Sequence, residues 1–119
     1  MTYQDVYGRW KDDPEAFWME AAETIDWVEK PSKALFDDNA PLYEWYVDAK
    51  VNTCWNALDR HVNAGRGEQA AVIYDSPITG RKDTITYAEM LTRVASLAGA
   101  LQAQGVEKGD RVIIYMPMT

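Results

Sequence analysis

The run Arg111-Val112-Ile113-Ile114-Tyr115-Met116 constrains the fold most, because after its first residue it is almost unbroken in apolar character. A strand with one wet face alternates polar and apolar residues, whereas an unbroken run suits an interior parallel strand covered on both faces. A parallel strand needs a crossover connection, and the preceding sequence supplies one. Ala70-Ala71-Val72-Ile73-Tyr74 reads as a β-branched and aromatic strand, Asp75-Ser76-Pro77-Ile78-Thr79-Gly80-Arg81 as a turn, and Thr84-Ile85-Thr86 as the return strand of a hairpin. Thr86-Tyr87-Ala88-Glu89 is a capping box, in which hydroxyl and carboxylate each take a free N–H at a helix start. Leu91, Val94, Ala98 and Leu101 form the stripe expected to be buried, and Gly105 is the stop signal. Strand, helix and parallel strand then make one right-handed crossover unit. An interior strand needs neighbours, yet only Pro117-Met118-Thr119 follows. The expected architecture is α/β and incomplete as a fold.

The first half reads differently. Asp12-Asp13-Pro14-Glu15 is a helix start: Asp13 caps, Pro14 needs no N–H partner at the first position, and the acids suit the positive end of the dipole. Phe17, Trp18, Ala21, Ala22 and Ile25 follow as an apolar face. No period survives from Pro31 to Val51, although Leu35, Phe36, Leu42, Tyr43, Trp45 and Tyr46 lie there. Such a segment is too aromatic for a disordered linker and reads as irregular chain lying against a surface. Asn52 to Val62 reads as a short helix capped by Asn52, with Trp55, Leu58 and Val62 on one face and Gly65 ending it.

Charge and composition exclude whole classes. A net charge of -7 argues against holding nucleic acid or an anionic membrane surface by neutralising phosphates. No apolar run approaches the roughly 18 residues of a membrane span. One cysteine, Cys54, rules out an internal disulfide or a cysteine metal cluster, and the start Met1-Thr2-Tyr3-Gln4-Asp5 lacks the regions of a signal peptide. The expected setting is cytoplasmic.

No residue carries an evident chemistry. His61 is the sole histidine, and it reads as a helix-end residue bonded to a backbone carbonyl rather than a catalytic base. Cys54 lies two helical turns away, about 10 Å along the axis, too far for a bonded pair. It reads as a small buried hydrophobe. Gly65-Arg66-Gly67 precedes a strand, whereas a phosphate-cradling loop follows one and opens a helix. The acids of the first fifty positions lack the alternation of a calcium loop. The many Trp and Tyr read as packing against a further body of protein before they read as a ligand-stacking surface. No catalytic, cofactor-binding or metal residue is expected in the chain.

Motifs along nearly the whole chain resemble one family. Pro14-Glu15-Ala16-Phe17-Trp18, Ile25-Asp26-Trp27 and Asn52-Thr53-Cys54-Trp55-Asn56-Ala57-Leu58-Asp59-Arg60-His61 are similar to the N-terminal region of acetyl- and propionyl-CoA synthetases, AMP-forming ligases of the adenylate-forming superfamily. The resemblance continues through the capping box, Gly105-Val106-Glu107-Lys108-Gly109-Asp110-Arg111-Val112 and Ile114-Tyr115-Met116-Pro117-Met118. Asn52-Thr53-Cys54 and Ile73-Tyr74-Asp75-Ser76-Pro77-Ile78-Thr79-Gly80 resemble propionate ligases more than acetate ones, with Trp55 standing where that motif has Tyr.

The resemblance implies an aromatic, acidic extension over residues 1–64 and the truncated start of the AMP-binding large domain over 65–119. It implies that the longer protein converts propionate, ATP and CoA to propionyl-CoA, AMP and pyrophosphate through an acyl-adenylate, with Mg. Acetate is the alternative substrate, and a free-standing protein-interaction module the alternative of another class. The family's phosphate loop, adenine contacts, acyl pocket and catalytic lysine follow the equivalent of Thr119, so the segment from Met116 to Thr119 points toward a site without forming it. The chain alone is expected to be inactive and to bind none of these. Its expected partner is the rest of a parent chain, with self-association or exchange of elements between copies as a further possibility.

Overall fold

The computed structural model describes residues 1–117, which divide into two units, Met1–Asn56 and a second starting at Ala57. The first begins with a helix that the sequence reading lacked, α1 (Tyr3–Asp12). Thr2 and Asp5 form a capping box at its start, and Tyr3, Tyr7 and Trp10 stack along it at successive turns. Helix α2 (Pro14–Ala22) starts as expected: Asp13 accepts the Ala16 N–H at 3.0 Å and Pro14 occupies the first turn. An ion pair between Arg9 and Glu20 links the two helices.

The segment from Pro31 to Val51 was expected to be irregular, and residues 27–51 instead contain two short antiparallel ladders. Strand β1 (Trp27–Glu29) pairs with β4 (Lys50–Val51), and β2 (Leu35–Phe36) pairs with β3 (Glu44–Trp45). Two or three residues are too few to show a period of two, so no alternation was available to read. Side chains bond the backbone just before β2. Glu15 accepts the Ala34 N–H at 2.6 Å, and Asp48 accepts the Ser32 N–H at 3.0 Å.

The capped stretch after Asn52 is helical over residues 53–66, but much of it widens to π geometry, at Trp55–Asp59 and Val62–Arg66. The cap is as expected, with Asn52 Oδ1 accepting the Trp55 N–H at 3.0 Å. The widened turns alter the single face expected of a regular helix: Leu58 and Val62 are half-buried and Trp55 is exposed. Gly65 breaks the helical angles inside the second widened segment at φ 78°, one residue before the run ends, a conformation costly for any residue with a Cβ.

In the second unit β5 (Ala70–Asp75) and β6 (Lys82–Thr86) form the expected hairpin, with a register shift between Ala70 and Val72. Ser76, 2% exposed, organises its turn: its N–H donates to Arg81 O, its carbonyl accepts from Gly80, and its Oγ accepts from Thr79. The Thr86–Glu89 capping box starts α3 (Tyr87–Ala103). The N–H groups of Tyr87 and Ala88 donate back to Gln69 O and Gly67 O, which ties the helix start to the approach of the hairpin.

The class is α/β, but the crossover unit is not closed. Among the described residues no strand pairs with 111–117, and Ile113 and Tyr115 are 88% and 99% exposed. A two-stranded hairpin cannot cover both faces of an apolar strand, so the run lacks the enclosure that would reward its pairing. The expected buried stripe of α3 is correspondingly open: Leu91, Val94 and Leu101 are half-buried and Ala98 is exposed. Met118 and Thr119, which the sequence reading put at the approach to a ligand site, lie outside the described residues.

Candidate functional site

A cleft of about 570 Å³ lies in the first unit, where α1 meets α2 and both face the loop that carries β2. Its walls are Trp10, Trp18, Leu35 and Trp45. Trp18 meets Trp45 edge to face at 5.6 Å, and the contact continues through Tyr46 to Trp27 with centroids 5.9 and 5.6 Å apart. Short connections bring these rings together, because Pro14 and its Asp13 cap turn α1 into α2, and the β2–β3 ladder places Trp45 opposite Leu35.

Tyr46 anchors this cluster at a backbone angle unusual for a bulky residue, φ 49°. Three bonds or contacts hold it there: its N–H donates to Ala34 O, its hydroxyl donates to Trp18 O at 2.9 Å, and its ring lies between Trp27 and Trp45. Burial, and then the nearby Glu15 charge, push the hydroxyl above its ordinary value.

Carboxylates rim the cleft, and most have structural work. Asp13 caps α2, Glu15 holds the Ala34 N–H, and Asp37 pairs with Lys33 at 3.5 Å. Asp12 makes no bond of its own among the described residues. The arrangement offers stacking surface and negative charge; it brings together no nucleophile with a base.

The residues weighed from sequence lie elsewhere. His61 meets the Tyr87 ring at 5.0 Å, and its Nδ1 receives the Arg66 guanidinium. Cys54 is half-buried at the start of the helical run. Sequence reasoning missed the cleft because its walls come from four separate segments; the only available signal was the recurrence of Trp before residue 56. Among the described residues no three His, Cys, Asp or Glu side chains converge as a metal site would, and no helix is long and apolar enough to cross a membrane.

Comparison with known proteins divides the chain in two. Residues 3–57 match the family model of the acetyl-coenzyme A synthetase N-terminus, and residues 58–119 match that of AMP-binding enzymes. The mitochondrial acyl-CoA synthetase short-chain family member 3 of Bos taurus is 51% identical over 106 residues, which are 89% of this chain and 16% of that protein. Its Homo sapiens counterpart is 49% identical over the same shares. The acetyl-coenzyme A synthetase of Paraburkholderia phymatum is 42% identical over 119 residues, 99% of this chain and 18% of that protein. The chain therefore spans less than a fifth of the length of these curated relatives.

Proposed function

Since the chain belongs to the AMP-binding enzyme family, we propose that it serves as the N-terminal part of an ATP-dependent ligase that joins a short carboxylic acid, propionate foremost, to CoA. The observation that carries this reading is the order of the two matches, an acetyl-CoA synthetase N-terminus running directly into an AMP-binding segment. The open apolar surface of α3 and of residues 112–116 supports it, since such a surface is stabilised by a further body of sheet and helix.

In the proposed reaction a carboxylate oxygen attacks the α-phosphorus of ATP, the bond to the β-phosphate oxygen breaks, and pyrophosphate leaves. The CoA sulfur then attacks the acyl carbon, the bond to the phosphate oxygen breaks, and AMP leaves as the thiol proton is released. Mg supplies charge neutralisation at the phosphates. Its ligands are proposed to lie in the rest of the longer polypeptide, as the family resemblance implies.

The role proposed for the chain is architectural. In this reading residues 1–64 wrap as the extension and 65–119 start the large domain. Its partner is the rest of the longer polypeptide, and the groups that touch substrate lie there. Propionate is favoured by the Asn52-Thr53-Cys54 and hairpin motifs; acetate is the second reading, favoured by the relatives named acetyl-coenzyme A synthetase. A cytoplasmic setting is proposed from the acidic, single-cysteine composition, and fractionation distinguishes it from the mitochondrial setting named for the mammalian relatives. Carboxylate-dependent exchange of pyrophosphate into ATP by the longer polypeptide tests the reading. Exchange with propionate exceeding acetate is expected; exchange with neither would overturn it.

A further inference from the structure

We draw no further inference here: the strongest candidate, the cleft of the first unit walled by Trp10, Trp18, Leu35 and Trp45, is an unpartnered apolar surface, and nothing in the structure shows what covers it.

Discussion

Asn56 grips the backbone of Asp26 at two points across thirty residues of chain: its Oδ1 accepts the Asp26 N–H and its Nδ2 donates to the Asp26 carbonyl, each at 2.9 Å. The amide thus acts as a one-residue strand partner that joins the end of α2 to the start of the helical run. Asn56→Ala should destabilise the first unit by about 1–2 kcal/mol, since it leaves a donor and an acceptor unmatched. Asn56→Asp keeps only the acceptor and should recover part of the loss. Urea unfolding followed by tryptophan emission checks both, and an unchanged midpoint in Asn56→Ala would contradict the role.

The capping box of α3 makes a second prediction. Thr86 Oγ1 accepts the Glu89 N–H at 3.2 Å, and Glu89 accepts the Thr86 N–H at 2.9 Å. Thr86→Ala should cost about 1 kcal/mol and reduce helicity at 222 nm, whereas Thr86→Ser should cost little.

These two features differ in how they could be read. The Thr86 box, the Asp13 cap and the Asn52 cap are local, each spanning four residues in one known geometry, and all three are visible in the sequence. The Asn56 grip, the Glu15 bond to Ala34 and the Trp18–Trp45 contact join residues far apart in sequence, which no periodicity reports. Helix α1 was missed because its apolar face is made of tyrosine and tryptophan, half-polar residues that blur a helical stripe. The opposite error fell on 111–116, whose apolar run states what a strand requires and says nothing of whether its neighbours are present.

Acid should loosen the loop that Asp48 holds. Hydrogen bonds from the Ser32 side chain and then its N–H keep this carboxyl below its ordinary value of 3.8. Its contribution is therefore present above pH 3.8 and is lost as pH falls through the lower folded value. An NMR titration of the Asp48 carboxyl should show a midpoint below 3.8, and Asp48→Asn should flatten this part of the acid loss.

Alkali should act through Tyr46. Its folded value is raised by burial and then by Glu15, so its stabilisation is intact below pH 10 and falls as pH rises beyond it. Tyr46→Phe should cost about 1 kcal/mol at neutral pH, through loss of the bond to Trp18 O, and should show a smaller further loss above pH 10. Parallel thermal melts of the two proteins at neutral and alkaline pH measure the difference.

The most direct test of the central claim is AMP release with ATP, CoA and either propionate or acetate, measured for the longer polypeptide and for residues 1–119 alone. Propionate-dependent AMP and a matching yield of propionyl-CoA from the longer polypeptide, with none from residues 1–119, is the predicted result. AMP release independent of any short carboxylate, or turnover by residues 1–119 alone, would contradict it.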